Sequence, residues 1–545
     1  MPDSLPPGET HPTVPVETGK GPAPSTAAFL ARASALLAVA TLLSRLMGLL
    51  REMLTARYYG ASGQTDSFFY ALIIPELLRT LIISGAVSSV FIPLMTEVQR
   101  KGRIEETRRM AGMMLSFVSL IAIVVVVIGE FAAPLLVQAS HALSFATEPL
   151  DPEKLRLTSE LIRIFLPTVL FVSLWGLMGG ILNALDNFHV PGIAPIAWNG
   201  TIIALLLFLG KYGDVHHVAW AFVIGHAVQV LFHLPALRKA RIYPTLIDWR
   251  HPMILQFLAL APAALLAYAT QSVNAFIGQG LALTKLSESA ASALAYAFRI
   301  QQLPMAIFGV SVATAMFPTL SRHATAGSGR DLIRTLGIGL RTTTLATLPA
   351  VVFFLVLPLE TIRLILERGA FTSRNTQDVA MALYCYSWAT LPMALSLLTA
   401  RTFFSEKDMR TPAVLGLLSI LLFYIFSLNF ARAIGFAGIA LSTSAVAWLL
   451  LIASVIIIHN RHRNDTSLLA AIGIKSPVQM IVAGVAEAGV LWLFNILLAN
   501  AHGTWTLLAL ILLAAVVGAA VYLGVLRLFG NPDLTETLRR LIRPR

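Results

Sequence analysis

Charge is scarce in this sequence. Asp, Glu, Lys and Arg supply 12% of its 545 residues, against 57% hydrophobic, where a soluble domain averages about 25% charged. An ordinary water-soluble globule is excluded. Cysteine is nearly absent: Cys385 stands alone, which excludes an internal disulfide and a thiolate metal centre and leaves a packing role. The sequence has no P-loop, no HExxH zinc signature and no nucleophile elbow, so nothing argues for an enzyme. The start lacks the basic stretch, short apolar core and cleavage site of a signal peptide. Residues 1–27, rich in Pro, Gly, Ser and Thr, read as a disordered cytoplasmic tail. Asn199-Gly-Thr matches a glycosylation pattern but falls within an apolar run, which discards it.

What is present is a long series of apolar runs. Each is roughly 20 residues, enough to cross about 30 Å of hydrocarbon. Barrel strands would instead alternate in segments of about ten residues. The fold class is therefore an all-α polytopic membrane protein with about 14 transmembrane helices. The spans fall near 28–57, 66–97, 109–138, 156–186, 191–211, 216–238 and 252–283, then near 288–321, 331–364, 376–405, 411–432, 436–459, 476–500 and 504–529.

The net charge of +12 would suggest nucleic acid in a soluble protein. Here it fits basic residues kept in cytoplasmic loops, and no nucleic-acid partner is expected. Alternate loops carry Arg100, Lys101, Arg103, Arg108 and Arg109, then Arg238, Lys239, Arg241 and Arg250, Arg322 and Arg330, Lys407 and Arg410, Arg461 and Arg463, and finally Arg539, Arg540, Arg543 and Arg545. The opposite set (YYGASGQT, KYGDVHH, LTKLSES, ANAHGTW) is poor in base. Both termini are then cytoplasmic, and His141 to Glu160 becomes an outer loop.

The chain also repeats itself. Tyr70-Ala71-Leu72 and Phe91-Ile92-Pro93 correspond to Tyr296-Ala297-Phe298 and Phe317-Pro318, and DNFHVP with Pro191 to EKDMRTP with Pro412, all shifted by roughly 220–226 residues. A six-helix repeat keeps its orientation, so two lobes should be related by a pseudo-two-fold axis along the membrane normal. The domains expected are an N-lobe at 28–240 (helices 1–6), a C-lobe at 250–460 (helices 7–12), helices 13–14 at 476–530 and a basic cytoplasmic tail at 531–545, with a central cavity between the lobes.

The few charges inside the spans carry the functional reading. An arginine at the centre of a membrane helix costs about 2.5–3.5 kcal/mol on insertion scales. Arg45 lies about 13 residues past Arg32, hence roughly 20 Å in. Glu52, one heptad later, shares its face, and Arg51 lies about 120° round the helix. A helix–helix salt bridge and a cationic cavity wall both fit these three. Asp66 opens the second helix, where it suits the helix dipole or serves as a gate or a partner for an arginine. Arg79 sits deep in the same helix, with Glu76 three residues before it. The eighth helix carries Arg299, then Pro304, which should kink it. If the second and eighth helices face each other, Arg45, Arg51, Arg79 and Arg299 form one cationic lining, and the planar guanidinium suits phosphate oxygens. Asn274, Asn429 and Thr443 supply either cation ligands or interhelical hydrogen bonds.

The motifs SRLMGLLRE at 44–52, YYGASGQTDSFF at 58–69, PELLR at 75–79, SGAVSSVFIP at 84–93, YAFRIQQLP at 296–304 and FGVSVATAMFPTLS at 308–321 resemble those of the MurJ (MviN-type) lipid II flippases of bacteria. The resemblance implies the fold of the multidrug, oligosaccharidyl-lipid and polysaccharide exporters, with the last two helices forming a lipid-tail groove. It implies substrate-binding roles for Arg45, Arg51, Arg79 and Arg299, and a role for Asp66. It further implies a place in the cell inner membrane and in peptidoglycan biosynthesis. The partners it implies are lipid II, membrane lipids and cell-wall synthesis proteins, with no cofactor beyond coupling to membrane potential or a monovalent cation. The family often has an acid just before the eighth-helix arginine and another three residues after it, where this chain has Phe298 and Gln302. It often has Asn in place of Glu76 and Glu in place of Ser84. Some members bind sodium through an aspartate on the seventh helix, a neighbourhood that holds Asn274 here. A related exporter of drugs or other polyprenyl-linked saccharides, and a cell-envelope scaffold without transport, are the competing readings.

Overall fold

The computed structural model describes residues 24–79, 91–143, 151–259, 270–286, 288–499 and 503–542. The first half contains α1 (Pro24–Tyr59), α2 (Gly63–Arg79), α3 (Ile92–Arg100), α4 (Ile104–Leu143), α5 (Pro152–Phe165), α6 (Pro167–Ala184), α7 (His189–Leu209), α8 (Val215–Leu231) and α9 (Leu234–Lys239). After a helical run at 252–259 come α10 (Thr270–Lys285), α11 (Ala290–Pro304), α12 (Val310–Thr325), α13 (Gly329–Val356), α14 (Pro358–Leu366) and α15 (Ser373–Ser405). The chain continues through α16 (Arg410–Ile434), α17 (Phe436–His462), α18 (Leu468–Ile472), α19 (Lys475–Ala499), α20 (Thr504–Leu528) and α21 (Pro532–Ile542).

Eleven helices among the described residues are long and apolar enough to cross a membrane. They correspond to the expected third to sixth and eighth to fourteenth spans. The expected first span lies within α1 (Pro24–Tyr59), whereas the second and seventh run in part through residues outside the described ones. Residues 1–23 also lie outside.

Local chemistry sets many of the helix ends. Proline opens α5 and α6 at Pro152 and Pro167, where its missing N–H costs nothing. Asp151 caps α5, accepting from the Glu153 N–H at 3.0 Å. The expected outer loop from His141 to Glu160 is therefore helical at both its described ends: α4 runs to Leu143 and α5 starts at Pro152. A reciprocal capping box, Thr372 with Asn375, starts α15. The kink expected at Pro304 takes the form of a π-helical turn, Met305–Gly309, between α11 and α12, the usual accommodation of an interrupted ladder. The expected basic tail contains a further helix, α21, tied back by Arg341, whose Nε donates to both Asp533 carboxylate oxygens at 2.9 and 3.0 Å.

Two helical lobes result. In the first, α1 packs along α7, α7 on α8, α2 on α5, and α4 on α5 and α6. In the second, α15 is central, touching α11, α12, α13 and α17, while α16 joins α17 to α10. The pair α19–α20 docks on α13. The lobes meet where α10 and α11 touch α2, α10 touches α4, and α14 touches α1.

That meeting place is the end the loop charges assign to the outside. The Ala370 N–H donates to the Arg57 carbonyl at 2.8 Å, the Tyr296 hydroxyl to the Gly60 carbonyl at 3.2 Å, and Asn375 to the Ala61 carbonyl at 3.0 Å. Lys154 reaches the Leu283 carbonyl at 2.7 Å. Gly60 and Gly369 permit this approach. Both have positive φ, and a Cβ would lie 2.6 Å from the Ala370 oxygen at Gly60 and 2.3 Å from the Arg57 oxygen at Gly369, too close for any side chain. Beneath the seal Phe69 and Tyr296 meet edge to face at 4.9 Å, both buried. Cys385 is buried as expected.

Candidate substrate cavity

Between the lobes lies a cavity of about 1400 Å³. It runs from Phe69 and Tyr296 under the seal to Pro191 and Pro412, which lie in the first turns of α7 and α16. Its first-lobe wall includes Arg45, Arg51, Glu52, Glu76, Trp175 and Trp198, and its second-lobe wall Arg299, Gln271, Asn274, Gln302 and Thr443.

The deepest charged group is a three-member bridge across the lobes. Glu52 Oε1 accepts from Arg51 Nη2 at 2.6 Å, and Glu52 Oε2 accepts from Arg299 Nη1 at 2.5 Å. Arg51 is 8% exposed and Glu52 6%, so each needs the other's charge. Aromatic faces complete the pocket. The Arg51 guanidinium lies 4.6 Å from the Trp198 ring centre and that of Arg299 4.7 Å from Phe69, within cation–π range.

Asn199 fixes Arg51 from the other side. Its Oδ1 accepts from Arg51 Nη1 at 3.1 Å, while its Nδ2 donates to the Pro195 carbonyl at 3.0 Å and the Ser44 carbonyl at 3.3 Å. The sequence reading set this residue aside with the discarded glycosylation pattern. The signal available was a lone amide in an apolar span, and an amide there needs a partner.

Arg45 stands exposed on the wall, two turns of α1 from Glu52. The side chain of Arg79 lies outside the described residues. Among the described lining residues, three arginines face two glutamates. Arg51 and Glu52 form a salt bridge, and that bridge lines the cavity.

Asp66 is elsewhere. It is wholly buried under the seal, in the first turn of α2, and its Oδ1 accepts from the Ser292 N–H at 2.7 Å. Ser289 immediately precedes α11 in a left-handed conformation and makes no side-chain cap. A carboxylate from the opposite lobe thus caps α11, satisfying one of its orphan amides. Its partner is a backbone amide and not an arginine.

The three uncharged candidates are not brought together. Asn274 and Thr443 line the cavity, Asn274 donating to the Ser419 hydroxyl at 2.9 Å. Asn429 is exposed away from it, its Nδ2 turned back to the Ile425 carbonyl of its own helix at 2.7 Å. A cation shell from all three is not formed. Among the described residues there is no group of three or more His, Cys, Asp or Glu placed to hold a metal ion.

The family model described as lipid II flippase MurJ matches residues 55–513. The chain belongs to the lipid II flippase MurJ family. Among its relatives is the lipid II flippase MurJ of Burkholderia cenocepacia, 31% identical over 418 residues, covering 75% of this chain and 80% of the relative. The probable lipid II flippase MurJ of Rhizobium tropici is 29% identical over 525 residues, covering 93% and 95%. A solved lipid II flippase MurJ in an inward closed conformation superposes with a TM-score of 0.72 at 25% identity, over 93% of this chain and all of the other. An inward-facing multidrug-resistance MATE transporter gives 0.64 at 16% identity, over 80% and 100%, and that likeness speaks for the fold. The chain is accordingly a multi-pass membrane transporter and not a catalyst.

Proposed function

We propose that this protein moves lipid II, the undecaprenyl-pyrophosphate-linked peptidoglycan precursor, from the cytoplasmic to the outer leaflet of the bacterial inner membrane by alternating access. The observation that carries the reading is the Arg51–Glu52–Arg299 bridge spanning both lobes beneath a sealed end. A pyrophosphate entering the cavity meets Arg45 first, then competes with the Glu52 carboxylate for Arg51 and Arg299, with Arg79 as a fourth cation. Guanidinium forks bind phosphate oxygens bidentately. Exchange of one anion for another releases the single charged tie between the lobes described inside the cavity. The lobes then part at the seal, where Asp66 lets go of the α11 amide and the Gly60–Gly369 contact opens. The sugar and peptide occupy the cavity while the polyprenyl tail stays in lipid along α19 and α20. Both termini are cytoplasmic in this reading, and membrane potential or a monovalent cation resets the cycle.

The test is leaflet-resolved lipid II in bacteria depleted of their own flippase. Wild type, Arg45→Ala and Arg299→Ala are supplied at matched membrane levels. Wild type restores outer-leaflet lipid II and the variants do not. No restoration by correctly inserted wild type overturns the function and favours an exporter of other substrates or a scaffold for cell-wall synthesis proteins. Restoration by every variant keeps the function and discards the arginine site.

A further inference from the structure

The seam where α19 meets α20 and α13 holds a carboxylic acid that the cavity does not use. Glu487 lies about 18 Å along α19 from Lys475 and is 2% exposed. Opposite it α20 presents Gly518 and, one turn on, Tyr522, which is wholly buried. A Cβ on Gly518 would lie 3.5 Å from Glu487 Cγ, so the glutamate stem runs directly against this stripe of α20. Neither Glu487 Oε2 nor the Tyr522 hydroxyl has a hydrogen-bond partner among the described residues.

The surroundings offer no counter-charge. On α20 the titratable group facing the seam is Tyr522, and Arg527 lies beyond it, exposed. On α13, Arg341 is taken by Asp533 and by the Ala471 and Ile472 carbonyls. No titratable residue follows it to the end of that helix at Val356. On α19 itself Lys475 is at the helix start; α14, with Glu360 and Arg363, and α21, with Glu536 and the Arg341-bound Asp533, also touch α20, and no described ion pair reaches Glu487. A carboxylate without a partner in such a place is strongly disfavoured. A metal cation of the hard class takes six or more oxygens, and two side-chain oxygens do not make that shell. A proton needs one oxygen, and the neutral acid is far less costly to bury than the carboxylate.

We propose that Glu487 and Tyr522 form a proton-binding site at this seam. With α19 and α20 docked on α13, Glu487 is a neutral acid. When the proton leaves to water, the carboxylate draws water into the seam and the docking loosens. The site is separate from the arginine cavity and stands whether or not lipid II is the substrate.

The experiment is infrared spectroscopy of the full-length protein in lipid nanodiscs, titrated from neutral to alkaline pH, with thermal unfolding measured in parallel. The expected result is a protonated-carboxyl band at neutral pH that E487Q removes and Y522F shifts, with D66N and E360Q as controls for two of the other buried acids. The band fades in alkali as the wild-type unfolding midpoint falls, and E487Q loses that fall because its side chain has no proton to give up. A carboxyl spectrum unchanged by E487Q, or the same alkaline decline in both proteins, overturns the proposal. If E487Q does not insert, an unshifted spectrum in Y522F overturns it.

Discussion

The two walls of the cavity are built from different chemistry. Both walls carry aromatic rings, but the first-lobe wall holds four charged side chains, Arg45, Arg51, Glu52 and Glu76. The second-lobe wall contributes one cation, Arg299, among amides and hydroxyls such as Gln271, Asn274, Gln302 and Thr443. Charge recognises the anionic part of a ligand strongly, and amides recognise its uncharged polar part weakly. Glu52 joins the walls, so the first lobe supplies two of the three described cations and the group that holds the lobes together.

The comparison breaks most severely at that bridge. Glu52→Ala leaves Arg51 buried and unpaired, and loss of one partner of a buried pair costs about 3–5 kcal/mol. The purified variant should lose thermal stability and flipping together, with Glu52→Asp recovering part of both. Arg45→Ala should separate the two quantities. Its side chain is exposed, so stability changes by about 0.5 kcal/mol or less. Flipping falls about tenfold to a hundredfold, the equivalent of one charge-assisted hydrogen bond of about 1.5–3 kcal/mol. Equal loss of stability in this variant would mean that the first wall is structural.

Asn199→Ala tests whether the first wall needs its support. It removes the acceptor that holds Arg51 and should cost about 1–3 kcal/mol in stability, with a partial loss of flipping at matched expression. On the second wall, Asn274→Ala deletes one neutral hydrogen bond to Ser419, worth about 1 kcal/mol. Flipping should change less than in any first-wall variant, and a sodium titration should give the same curve as wild type. A larger effect than that of Asn199→Ala would reverse the ranking of the walls.

The smallest effect lies away from both walls, in the loop before α16. Burial works against ionisation of Asp408, but bonds from Thr411 and the Arg461 guanidinium outweigh it and lower its carboxyl to about 2. A carboxylate held below its unfolded value near 3.9 stabilises the fold above that pH, and the contribution disappears as pH falls through the folded value. Asp408→Asn should therefore flatten the acid limb of the stability curve between about pH 4 and 2 and leave neutral flipping unchanged.

Several of these features were legible in the chain before any coordinate. Long apolar runs dictate spanning helices because unpaired backbone polar groups are intolerable in hydrocarbon. The buried arginines were visible as costs that needed a reason, and Pro304 as an interruption. Asn199 was visible only as an amide out of place, because its partner, Arg51, sits far off in sequence on another helix. Asn429 showed the opposite limit. Its residue type suited a cation ligand, and the direction it faces on α16, which packing sets, removed it from the cavity.

Composition and local order dictate a helical membrane protein, the charged positions within its spans, the capped helix starts and the family. Which charges meet was decided by tertiary structure alone. Glu52 could have served Arg45 on its own face, but lobe packing gave it Arg51 and Arg299. Asp66 could have served only its own helix, but docking carried it to the amide of Ser292 in the other lobe. Hydrogen bonds and ion pairs act over about 3 Å, and contacts that short between distant segments exist only once the helices are packed.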